Sequence, residues 1–211
     1  MLHAPSYGAS PTTAAEARGI SEEDALRVHV YRMIAHFLSG PPGEDAIAVV
    51  RELAGEPGTA LGEAISAWSA SAKSTTPAEL AEAYQTLFIG LGRGILVPYG
   101  SYYLTGFLHE KPLARLRQDM AALGIVRSSG VSEPEDHIAS ELEIMAGLID
   151  GTYGGPQSLA LQQQFFDAHV GAWAGHFFRD LAKTEPSPFY AALGETGQVF
   201  MELEERAFGY G

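Results

Sequence analysis

The chain has 211 residues, 46 % of them hydrophobic and 18 % charged, against about 25 % charged in a typical soluble domain. Thirteen Lys and Arg face 26 Asp and Glu, a net charge of −13. That balance counts against nucleic acid and anionic membranes, which both require cations on the protein, and favours a cationic peptide or protein as partner. There is no cysteine, which excludes disulfides, thiolate zinc sites, iron–sulfur ligation and cysteine nucleophiles.

A chain of this length can bury about 70 % of its surface on folding, so one core without a metal staple is expected. Residues 1–19 read as a flexible tail with neither the basic start nor the apolar centre of a secretory signal. Nowhere is there a run of 18 uncharged apolar residues, so no segment is expected to span a bilayer. The expected location is the cytoplasm.

From Ser21 the pattern is helical. Ser21 and Asp24 make a capping-box-like start, and Leu26, Val30, Met33, Ile34, Phe37 and Leu38 recur at helical spacing up to Gly40, Pro41 and Pro42. Further helices are predicted over about 44–54 and 59–72. Thr76 and Pro77, with Glu79 in the first turn, start another through Tyr84, Leu87 and Phe88. An irregular stretch, 90–100, separates these from helices at about 101–107 and 112–123. Residues 124–134 read as a linker and possible hinge. Pro134 is predicted to open a helix to Asp150, with Ile138, Leu142, Met145 and Ile149 on one stripe. Helices over about 156–171, 173–184 and 188–208 complete the chain. No window alternates with period two between hairpin turns. The fold class is all-α: a single globular bundle of about nine to eleven helices over 20–211.

Little of the usual catalytic vocabulary is present. Gly90, Gly92 and Gly94 match neither a dinucleotide fingerprint nor a phosphate loop, and read as a turn needing positive φ. Seven histidines, at 3, 29, 36, 109, 137, 169 and 176, show no compact ligand spacing, so no metal is expected. The most suggestive cluster is Ser132-Glu133-Pro134-Glu135-Asp136-His137. Its acids complement a helix N-terminus, and His137 and Glu141, four apart, can touch. On a helical wheel Asp136 turns toward the polar side, while His137, Glu141, Ile144 and Leu148 make a second stripe. Helix cap and binding site stand as equal readings of these residues. Asp136 and His137 diverge by about 100° on a helix and no nucleophile elbow is present, so the chain is not expected to be an enzyme; a helical hydrolase using this pair is the remote alternative.

Three ordered blocks resemble the TorD/DmsD type of redox-enzyme maturation chaperone. AYQTLFIGLGRGILVPYGSYYL (83–104) resembles the family's aromatic-x-x-Leu-Phe-x-Gly followed by Pro-aromatic-x-Ser-x-aromatic-Leu. EPEDHIASELEIMAGLI (133–149) contains Glu-Pro-x-Asp-His, and FFDAHVGAWAGHFFRDL followed by SPFYAAL resembles the family's His-x-x-x-Trp helix and last-helix start. The match spans about residues 21–205. It departs at Gly92, where relatives can carry an aromatic, and at Ala172, where a proline often precedes the tryptophan.

The resemblance implies a cytoplasmic, all-helical, non-enzymatic chaperone. Such a protein binds the twin-arginine leader, the apo body, or both, of a molybdopterin-containing oxidoreductase, assisting cofactor insertion and delaying export. An assembly factor for a non-exported, nitrate-reductase-type complex is the alternative. The family's signature falls on Pro134, Asp136 and His137, and on Tyr84, Pro98, Tyr99 and Ser101. Glu135 and Glu141 join the expected site from the residue reading above. No cofactor is expected; weak guanine-nucleotide binding is implied for some members by resemblance alone. Some relatives are domain-swapped dimers, so monomer and swapped dimer are both open.

Overall fold

In the computed structural model, which describes residues 19–90, 92, 94–126 and 133–209, Ser21 starts the first helix. Its hydroxyl oxygen accepts the Asp24 N–H at 3.0 Å, the N-cap geometry that its spacing predicts. α1 (Glu22–Leu38) runs to the proline stop. It is followed by α2 (Glu44–Arg51), α3 (Ala60–Lys73) and α4 (Pro77–Tyr84), the last extended by a π-helical turn at Gln85–Ile89. Then come α5 (Gly100–Thr105), α6 (Lys111–Ala122), α7 (Ile138–Asp150) and α8 (Leu159–Phe165), with a second π turn at Phe166–Val170. α9 (Ala174–Ala182) and α10 (Pro188–Gly209) close the chain. The described residues hold ten α-helices and no strand, in keeping with the all-α expectation. The expected tail lies outside the described residues apart from Gly19, as do residues 127–132 of the expected hinge.

Besides α2, which ends at Arg51 rather than near 54, two boundaries differ from the sequence reading. The helix expected from Pro134 begins at Ile138. Residues 134–137 form a turn instead, closed by the His137 N–H donating to the Pro134 carbonyl at 3.2 Å. His137 is extended (φ −68, ψ 136) and serves as the N-cap. Secondly, the helix expected over 156–171 starts at the Ser158 cap. It relaxes after Phe165 into the π turn, where the Gly171 N–H donates five residues back to Phe166 at 2.7 Å. The glycine turn is as expected: Gly90 (φ 62) and Gly92 (φ 97) take the left-handed conformations that glycine tolerates.

The chain divides into two compact units. One contains the described residues up to His36 with Tyr99–Ala172, and the other contains Phe37–Pro98 with 173–209. In the first, α7 packs against α8 and the second π turn, and α5 against α6. α7 is buried on nearly every side; only Ser140 and Glu143 are partly exposed. This fits its mostly apolar composition, since a helix hydrophobic on most sides belongs in a core; Glu141 and Asp150 are buried with it. Arg32 of α1 reaches the end of α7, with Nη1 2.7 Å from the Asp150 carboxylate.

In the second unit, α10 packs on α3 and α9, and α2 on α3. The rings of Phe37, Trp68 and Phe189 meet with centroids 5.2 to 5.6 Å apart, a tilted, edge-on geometry that aromatic quadrupoles favour. α9 and α10 approach through Gly194, where an added Cβ would fall 2.4 Å from the Ala182 nitrogen and 2.8 Å from its Cα. That neighbour is backbone and cannot swing away. Gly194→Ala is therefore expected to destabilise the chain by about 1–3 kcal/mol, although alanine alone would favour the helix by about 1 kcal/mol. Denaturant unfolding measures this; a variant as stable as the parent would contradict the close approach.

Candidate functional site

Within the first unit, the segment at 133–139 caps the start of α5 and begins α7, and the segment at 99–101 pairs with it. α5 lacks a capping side chain of its own at Tyr99. Asp136 supplies it from 35 residues further along the chain: its carbonyl accepts the Gly100 N–H at 2.8 Å, and Oδ2 accepts the Ser101 N–H at 2.8 Å. A carboxylate on unpaired N–H groups at a helix start gains both hydrogen bonds and a favourable dipole. In return, Tyr99 forms an antiparallel bridge with His137, and their rings meet edge to face at 5.1 Å. The Tyr99 hydroxyl also donates to the Glu133 carboxylate.

His137 then starts α7 itself. Its Nδ1 accepts the Ala139 N–H at 3.2 Å, which places the proton of the neutral ring on Nε2. Burial drives its pKa from the ordinary 6.5 down to about 4, against an upward pull from Glu133 and Asp136. Desolvation of the imidazolium wins over the two carboxylates. No acid–base dyad forms, because Asp136 turns to the Ser101 amide and Nδ1 of His137 to the Ala139 amide.

Asp136 and His137 are 2 % and 6 % exposed, which corrects the wheel expectation that Asp136 faces the polar side. Pro134 and Glu135 are partly exposed and Glu133 is exposed. Glu135 is paired: Nε and Nη2 of Arg117 both donate to its Oε2, at 2.9 and 2.7 Å. Two buried polar atoms lack a hydrogen-bond partner here, Oδ1 of Asp136 and Oγ of Ser101. Leaving such groups unsatisfied costs about 1–3 kcal/mol each.

The structure thus brings Tyr99, Ser101, Pro134, Glu135, Asp136 and His137 together. Glu141 is buried in the first turn of α7. Tyr84 and Pro98 belong to the other unit, where both are buried. There the Tyr84 hydroxyl donates to the Leu38 carbonyl at 3.3 Å, and its ring packs on Phe88 and Tyr190, so Tyr84 is core. Sequence reasoning placed Glu133 in the cluster but not among the expected site residues, and missed Arg117 as a neighbour of the site. It also missed the bond between His169 Nε2 and Asp119 Oδ2, at 2.7 Å. Glu133 had a signal, its place beside Pro134; the other partners are 18 and 50 residues apart and leave no local pattern.

A family model described as nitrate reductase delta subunit matches residues 55–179. A TorD chaperone from Vibrio cholerae is 28 % identical over 193 residues, covering 88 % of this chain and 83 % of the relative. A protein described as a Tat proofreading chaperone, DmsD, from Haemophilus influenzae is 35 % identical over 116 residues, 54 % of each chain. Among solved structures, a protein described as a redox enzyme maturation protein from Archaeoglobus fulgidus superposes with a TM-score of 0.56 at 23 % identity. That match covers 83 % of this chain and 93 % of the other, and it supports the fold. The chain belongs to the TorD/DmsD-type chaperone family.

The buried imidazole makes stability depend on pH. Between about 4 and 6.5 the unfolded chain binds a proton at His137 that the folded chain does not. This contribution is fully present above 6.5 and is lost as pH falls toward 4, by up to about 3 kcal/mol at 1.36 kcal/mol per unit. His137→Asn keeps a capping acceptor without a titrating ring, and the loss of stability on acidification becomes shallower. In the parent, the NMR signal of the His137 ring stays flat down to about pH 5; titration near 6.5 would contradict the burial.

Proposed function

We propose that this chain is a cytoplasmic, non-enzymatic chaperone that binds the twin-arginine leader of a molybdopterin-containing oxidoreductase, assists cofactor insertion and delays export. The turn at 133–137, with Tyr99 and Ser101, receives the arginines. One observation carries the reading: a carboxylate oxygen and a hydroxyl, Asp136 Oδ1 and Ser101 Oγ, are buried without partners at a turn whose Glu133 is exposed and Glu135 partly exposed. An arginine offers five donors in a planar fork that suits carboxylates. The chain's excess of 13 negative charges favours approach of such a peptide. Membership of a family whose relatives are named chaperones supports the same reading, as does the lack, among described residues, of a helix long and apolar enough to cross a membrane.

Magnitudes divide the work. Exposed ion pairs retain about 0–1 kcal/mol, so Glu133 and Glu135 set orientation and speed of encounter. Most affinity has to come from burying the leader's apolar centre, at about 25 cal/mol per Å² before association costs. The family description as a nitrate reductase delta subunit favours one second reading, an assembly factor for a complex that is not exported. Co-purification with a client lacking any leader would select it.

Asp136 variants separate cap from binding site. In Asp136→Asn the amide oxygen can still accept the Ser101 N–H, while an NH2 group replaces the free acceptor. Thermal stability is expected to stay near the parent's, with affinity for a synthetic twin-arginine leader falling about tenfold, the loss of one charge-assisted bond. Asp136→Ala loses both. Calorimetric titration at two salt concentrations reads the affinity; equal affinity of parent and both variants would remove Asp136 from the site.

A further inference from the structure

The segment after α5 presents Leu104, Phe107 and Leu108 to solvent, at 45 %, 70 % and 44 % exposure. Single apolar residues on a surface are ordinary; here three exposed ones fall within five residues at the end of one short helix. This cluster is also held in place. The Thr105 hydroxyl donates to the Ser101 carbonyl at 2.7 Å and its oxygen accepts the Phe107 N–H at 3.2 Å. Gly106 ends α5 in a left-handed conformation, with its N–H on the Tyr102 carbonyl at 2.8 Å. His109 is left-handed too, at φ 61, before Glu110 and Pro112 lead into α6. An ordered backbone that points a phenylalanine into water has a fixed shape to offer a partner.

Its position names the occupant. The N-terminal end of α5 is held by Asp136, beside the acidic turn; the apolar tip follows its C-terminal end. Six helical residues span about 9 Å, which an extended peptide crosses in about three residues. A peptide whose cations meet Glu133 and Glu135 therefore reaches the tip with residues about three places away. A leader that carries arginines ahead of an apolar centre has that layout.

We propose that Leu104, Phe107 and Leu108 form the docking surface for the apolar segment that accompanies the leader's arginines. The proposal rests on the leader-binding reading above. Its test uses the full chain and two synthetic peptides: one has two arginines about three residues ahead of an apolar stretch of about ten residues, and the other ends before that stretch. The double variant Phe107→Ser with Leu108→Ser changes exposed side chains only, and circular dichroism and melting check its fold. It is expected to bind the long peptide about tenfold more weakly than the parent, and the short peptide equally. Equal affinity for the long peptide overturns the proposal and leaves the leader reading intact. A variant that loses only self-association in sedimentation overturns it in favour of a second copy of the chain. A parent that binds neither peptide overturns both readings.

Discussion

The site depends on one carboxylate spent on backbone. Asp136 holds the start of α5 through the Gly100 and Ser101 amides, and the chain leaving it places His137 against Tyr99 and at the head of α7. Two helices that are far apart in sequence share one capping device. Burial raises its worth, because amides at a helix start cannot turn to water for a substitute. A six-residue helix is too short to persist by propensity alone, so α5 and everything placed by it lean on this contact.

The same economy gives Asp136 and His137, neighbours in the motif, separate backbone partners. Oδ2 of Asp136 is engaged with the Ser101 amide and Nδ1 of His137 with the Ala139 amide, while Oδ1 of Asp136 is buried without a partner. His137 is held neutral by desolvation, and a neutral ring packs against Tyr99 at less cost than an imidazolium would. Binding a leader asks only for shape, acceptors and apolar surface. Arg117 lies on Glu135 through two nitrogens, so a guanidinium is already seated on the acidic turn.

Legibility in the sequence tracked the range of each interaction. Ser21 with Asp24, and Thr76 with Glu79, are caps between residues three apart, and both were readable and are present. The stripe of Ile138, Leu142, Met145 and Ile149 was equally plain, because it belongs to one helix. Pro134 misled: the local preference of proline for a first helical turn was overridden by the pull of a distant helix on Asp136. Pairings at 18, 35 and 50 residues, Arg117 with Glu135, Asp136 with Ser101 and Asp119 with His169, have no periodic trace. The resemblance singled out 134–137 without revealing that two of its side chains are buried, and it grouped with them Tyr84, whose contacts are those of a core residue.

Amide hydrogen exchange addresses the central contact most directly. The account predicts slow exchange at Gly100 and Ser101 in the free protein, and slower exchange there and at 137–139 when a twin-arginine leader is bound. Fast exchange at Gly100 and Ser101 in the free chain, or leader-induced protection that leaves both segments untouched, would contradict it.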